Sequence, residues 1–144
     1  MKKNGVLIIE DNITDGLVIK RTLSNYLNEE ITVVRDGKEA LKYLAKAMKT
    51  NLDSETSLPH LITLDLNMPK MNGFEFIERF KKNENTRDIP IIVLTSSQLP
   101  DEIKKAYELG ANSYVVKPTD HEKFEQTISV LYEYWFDFSK LPKE

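Results

Sequence analysis

The chain has 144 residues, a net charge of −3 and no cysteine. Its length fits one domain, 1–144 with a core of about 5–138, which can bury a sufficient core without staples, and the lack of cysteine excludes disulfides and thiolate chemistry. The charge argues against a nucleic-acid binder, and apolar runs too short for a membrane span or a signal peptide point to a cytoplasmic protein with no membrane association.

Gly5 to Ile9 reads as a buried strand ending at Glu10-Asp11-Asn12. Asn12 is suited to cap the next helix, with Asp15 in its first turn. Leu17, Leu23 and Leu27, with Val18 and Ile19 near them, form that helix's apolar face. Ile31 to Val34 is a second strand, and Asp36-Gly37-Lys38-Glu39 resembles a capping box for a helix using Ala40, Leu41, Leu44 and Met48. Lys49 to Leu58 is polar, without periodicity, and reads as a long surface loop. Leu61 to Leu64 is the third strand, ending at Asp65. Gly73 to Lys82 is a helix with Phe74, Ile77 and Phe80 inward.

Ile91 to Leu94 is a fourth strand, ending at Thr95-Ser96-Ser97. Pro100 suits the first turn of a helix through Ile103, Ala106 and Leu109, which Gly110 closes. Ser113 to Val116 is a fifth strand, ending at Lys117-Pro118. Thr119-Asp120-His121-Glu122 reads as a capping box for a last helix that buries Phe124, Ile128, Leu131 and Trp135. Neither His60 nor His121 has metal-ligand spacing. Five strand–helix repeats predict an α/β fold with a parallel sheet and helices on both faces.

In such a sheet, ligands bind beyond the carboxyl ends of the strands, near the switch point. The residues there are Glu10, Asp11, Asp65, Thr95 and Lys117. Crowded carboxylates disfavour each other's ionised form, and a hard divalent ion, best Mg²⁺, relieves that. Asp65 can then act as a nucleophile, since carboxylates form aspartyl-phosphate intermediates. The metal and Lys117 would clamp phosphoryl oxygens, and Thr95 would donate to one of them.

Glu10-Asp11-Asn12, Asp65-Leu66-Asn67-Met68-Pro69 with Asn72-Gly73, Thr95-Ser96, Gly110-Ala111-Asn112-Ser113-Tyr114 and Lys117-Pro118 resemble the receiver domain of two-component response regulators. The resemblance runs from about Val6 to Tyr134. Within that family, the Lys49 to Leu58 loop, the stretch Asp65 to Gly73 and the tail Tyr132 to Phe136 are similar to single-domain regulators that partner bacterial phytochrome kinases. The resemblance implies a flavodoxin-like fold of five parallel strands in order 2-1-3-4-5 with five helices. It implies that Asp65 takes a phosphoryl group from a phosphohistidine of a sensor histidine kinase. Asp11 and Asp65 would ligate Mg²⁺ directly, Glu10 through water and Asn67 by its carbonyl. Lys117 would pair with the phosphoryl group, while Thr95 and Tyr114 would form a switch. A cis Lys117–Pro118 bond would aim the ammonium into the crevice. Such a module catalyses its own phosphoryl transfer and dephosphorylation and is not a conventional enzyme.

Two rival readings are weaker. A haloacid-dehalogenase-type phosphatase would need a second Asp two residues after its nucleophile, where this chain has Asn67, and its nucleophile would follow the first strand. A pseudo-receiver would be expected to lack one of the five site residues, and all are present. The aromatics Tyr132 to Phe138 cannot all share one helical face; they either cover the sheet edge or bind a partner, and a homodimer through the last helix is one such use.

Overall fold

The computed structural model describes residues 5–49 and 57–141. Most of the expected Lys49 to Leu58 loop lies outside them. Five strands form one parallel sheet in the order β2-β1-β3-β4-β5: β1 Val6–Ile9, β2 Ile31–Val34, β3 Leu61–Leu64, β4 Ile91–Thr95 and β5 Ser113–Val116. Helices α1 Ile13–Ser24, α2 Gly37–Lys49, α3 Gly73–Lys82, α4 Pro100–Leu109 and α5 His121–Glu133 follow the strands in turn. The expected fold is the observed one.

Strand residues alternate between two faces of the sheet, and each face builds its own core. Leu7, Ile9, Ile62, Leu64, Ile91 and Val93 pack with Phe76, Ile77 and Phe80 of α3, Ala40 and Leu44 of α2, and Ala106 of α4. Val6, Ile8, Leu61, Ile92 and Leu94 pack with Val18, Ile19 and Leu23 of α1 and with Phe124, Ile128, Leu131 and Tyr132 of α5. The three inner strands are buried on both faces, which is why they are mostly apolar, with Thr63 in β3 and Thr95 at the end of β4 as their polar members.

Helix ends follow local chemistry. Asn12 and Asn72 cap α1 and α3 by accepting from the N–H groups of Asp15 and Glu75. Asp36 accepts from Glu39 N–H at 2.8 Å, and Glu39 reaches back to Arg35 N–H at 3.2 Å. Gly110 closes α4 in the left-handed region, φ 116°, where it meets no Cβ penalty.

Four expectations about faces and caps are corrected. Leu17 points outward, 63 % exposed, because Val18, Ile19, Thr22 and Leu23 set the buried stripe of α1. In α3 the inward residue is Phe76, not Phe74, whose half-buried ring lies 4.5 Å from Lys105 Nζ. The α5 cap is Asp120, accepting from Glu122 and Lys123 N–H, rather than Thr119. Tyr132 takes the core place expected of Trp135, which is only half-buried. A π-helical turn over Tyr134–Phe138, closed by Ser139 N–H to Tyr134 O at 2.7 Å, follows directly and ends the regular α-helix before Trp135.

Candidate functional site

The chain order reverses between β1 and β3, which opens a crevice beyond their carboxyl ends. The last rungs of the sheet fix the residues that line it. Glu10 N–H donates to Val34 O, Asp65 N–H to Ile9 O and Lys117 N–H to Thr95 O, at 2.9, 3.0 and 2.8 Å. The site therefore stands on strands, the more precise support for a functional group.

Lys117 Nζ is the centre of this crevice. It lies 2.6 Å from Glu10 Oε1, 2.9 Å from Asp15 Oδ2 and 3.3 Å from Asp65 Oδ2, with its side chain 7 % exposed. Burial alone would lower the pKa of this ammonium. Its bonds to Glu10 and Asp15 and the charges of Glu10 and Asp65 outweigh that and hold it above the ordinary lysine range. Glu10 is raised as well, which for a carboxylate disfavours the charged form: burial first, then the Asp65 charge, pushes its pKa up to about 7 against the pull of Lys117. Its second oxygen accepts from Asn12 N–H at 3.1 Å.

Thr95, the last residue of β4, is fully buried, and its hydroxyl has no hydrogen-bond partner among the described residues. Buried hydroxyls nearly always find one. Tyr114 on β5 is half-buried, and its hydroxyl donates to the carbonyl of Ser97, two residues beyond Thr95, at 3.0 Å. The Tyr114 N–H donates to the Tyr107 hydroxyl of α4, also at 3.0 Å, and Ser97 Oγ is bonded to Glu102 of α4. One network thus ties the loop after Thr95, the β5 ring and α4.

The loop after Asp65 turns back sharply. Lys70 adopts φ 63°, and Met71 N–H closes a three-residue turn on Pro69 O at 2.7 Å. This brings Gly73, at the start of α3, against the Asp65 backbone.

The structure brings Glu10, Asp65, Thr95 and Lys117 to one crevice, as expected, but places two residues otherwise. Asp11 is exposed, and the third carboxylate on Lys117 is that of Asp15, for which the sequence suggested only a first-turn role. Among the described residues, no three carboxylates or imidazoles stand ready as a metal centre. Asn67 follows Asp65 at the crevice mouth, its N–H 3.4 Å from Asp65 Oδ1. The Lys117–Pro118 bond is trans, not cis; the backbone bond to Thr95 already directs the lysine inward.

Comparison with known proteins bears on this crevice directly. The family model for the response regulator receiver domain matches residues 6–129. The protein named "Probable methanogenesis regulatory protein FilR2" of Methanothrix harundinacea is 35 % identical over 95 % of this chain and 86 % of its own length. The phosphorylated cyanobacterial phytochrome response regulator RcpA superposes with a TM-score of 0.88 at 31 % identity, covering 99 % of this chain and all of its own. Response regulator Rcp1 of Synechocystis, solved in a Mn²⁺-bound form, gives 0.82 at 29 % identity over 97 % of this chain and 99 % of its own. The matched span contains every strand end that lines the crevice, and the chain belongs to the receiver domains of two-component response regulators.

Proposed function

We propose that Asp65 is the phosphoacceptor of this receiver, taking a phosphoryl group from a phosphohistidine of a sensor histidine kinase. The reading rests on one observation above the rest: a fully buried Thr95 hydroxyl without a partner, at the mouth of the strand that adjoins Asp65. A donor kept free beside an ammonium-bound carboxylate suits an oxyanion that arrives later.

In the transfer, an Asp65 oxygen bonds phosphorus, the P–N bond breaks, and the imidazole leaves. Lys117 donates to a phosphoryl oxygen, and Thr95 turns its hydroxyl to another. Oxygen donors of this kind suit a hard divalent cation, Mg²⁺ best, although here Asp11 is exposed and the carboxylates do not stand together as a metal centre among the described residues. Asp11, Asp65 and the Asn67 carbonyl would hold it directly, and Glu10 through water. When bound, the ion supplies neutralisation of charge on the phosphoryl oxygens. Asn67 offers no proton for hydrolysis, which fits a signalling module that turns over only its own phosphoryl group.

The output is a change in a protein-binding surface. As Thr95 moves, the Ser97 carbonyl moves with its loop, and the Tyr114 ring follows. Beside β5, a groove of about 730 Å³ is lined by Val115, Val130, Leu131, Tyr134 and Trp135, and Val130, Tyr134 and Phe138 are exposed. This face suits a partner or a second copy. A phytochrome-like kinase in the cytoplasm is the partner the neighbouring structures favour. The test is uptake of phosphate from phosphoramidate. Mg²⁺ should be required, and Asp11→Ala should abolish both metal binding and uptake; uptake that persists in chelator would overturn the reading.

A further inference from the structure

Asp15 is not among the residues that the strand ends supply. Yet its carboxylate is nearer the Lys117 ammonium than that of Asp65, 2.9 against 3.3 Å. Helix α1 carries it there: Asp15 is the third residue after the Asn12 cap, and its N–H donates to Asn12 Oδ1 at 2.9 Å. An ammonium has three N–H groups, and three carboxylate oxygens lie within 3.3 Å of it. A phosphoryl oxygen must therefore compete with these carboxylates for Lys117.

The three carboxylates differ in what displacement costs. The Glu10 side chain is 2 % exposed and that of Asp65 11 %, whereas that of Asp15 is 27 % exposed. A carboxylate that loses its cation is stranded if buried and is rehydrated if water can reach it. Asp15 is the partner released at least cost.

We propose that Asp15 is a positioning residue for phosphoryl transfer: it holds one N–H of Lys117 in the resting protein and yields it to the incoming phosphoryl group. This rests on Asp65 being the phosphoacceptor. Asp15 then acts as a brake, because its carboxylate competes with the phosphoryl oxygens for Lys117. Neutralising Asp15 leaves the ammonium to Glu10, Asp65 and the arriving group.

The test uses phosphoramidate and Mg²⁺ with the full chain. An Asp65 oxygen bonds phosphorus, the P–N bond breaks, and the nitrogen, already carrying three protons, leaves as ammonia. Intact mass gives the rate of transfer. Beryllofluoride, a phosphoryl mimic, gives affinity without transfer. Asp15→Asn should raise both roughly two- to five-fold, the range open to a partly exposed ion pair. Asp15→Ser should do the same and serves if Asn disturbs the cap. Asp15→Glu keeps the charge and should stay within about twofold of wild type. The gain in beryllofluoride affinity should vanish when Lys117→Ala is added. An unchanged or lower rate and affinity in both neutral variants overturns the proposal. So does an equal gain without Lys117, which would be plain repulsion of the anion. No uptake by the wild type would instead overturn Asp65 as phosphoacceptor, so the two failures are distinguishable.

Discussion

Gly73 opens α3 where the chain passes back over the Asp65 loop. A Cβ there would stand 2.8 Å from the Asp65 carbonyl oxygen, 2.8 Å from Leu66 Cα and 2.9 Å from Leu66 Cδ2. Two of these are backbone atoms, so no rotamer change relieves the contact. Gly73 is not in the left-handed region, and the whole cost of Gly73→Ala is therefore steric. Overpacking of this kind costs about 1–3 kcal/mol, while the better helix propensity of Ala returns at most about 1 kcal/mol. We expect a net loss of about 1–2 kcal/mol and a fall in Tm of about 3–8 °C. The Asp65 backbone must shift to make room, so phosphorylation should slow too; a displacement of about 1 Å can cost on the order of 100-fold. Gly16→Ala is the matched control. Its Cβ would lie 3.4 Å from Val33 Cγ1 and 3.9 Å from Glu10 Cγ, an ordinary contact inside α1, and should stabilise by about 0.4–1 kcal/mol. Urea unfolding reads both, with an unchanged m-value expected. A Gly73→Ala protein as stable and as readily phosphorylated as wild type would refute the packing of α3 against the Asp65 loop.

Thr95→Val removes a buried hydroxyl that has no partner and should raise the stability of the unphosphorylated protein by about 1–3 kcal/mol in urea unfolding. It should also leave the Tyr114 ring unresponsive to phosphorylation, as read by NMR. Asp120→Ala should cost about 0.5–2 kcal/mol through loss of the α5 cap, while Thr119→Ala stays within about 0.5 kcal/mol. Burial holds the Tyr132 phenol above its ordinary range, only partly offset by Thr63. The folded state thus keeps a proton that the unfolded chain releases, and stability falls as pH rises above about 10. Tyr132→Phe should flatten that fall in urea midpoints taken across the alkaline range.

The strands can be read from the sequence because each is a short, mostly apolar run stopped by a charged or hydroxyl residue, and the stops of β1, β3, β4 and β5 are the site. Glu10, Asp65, Thr95 and Lys117 needed only the rule that ligands gather at strand ends. Phases within helices are harder. Phe74, Phe76, Ile77 and Phe80 are all apolar, and only contact with the sheet selects Phe76 as the buried member. Trp135 follows Ile128 and Leu131 at helical spacing and packs against the same core, but it lies where the helix ends in a π-helical turn and stays half-buried. Asp15 was out of reach for a different reason. Its meeting with Lys117 joins the first turn of α1 to the residue that follows β5, a tertiary fact with no local signal beyond an acid in a first turn. The Lys117–Pro118 bond shows the same limit, since backbone pairing to Thr95 directs the lysine without a cis peptide.

The most direct measurement is the intact mass of wild type and Asp65→Asn after treatment with phosphoramidate and Mg²⁺. The wild type should gain one phosphoryl group, released by hydroxylamine as expected of an acyl phosphate rather than a phosphoester, and Asp65→Asn should gain none. Full labelling of Asp65→Asn would contradict the assignment of the crevice, whatever the family to which the chain belongs.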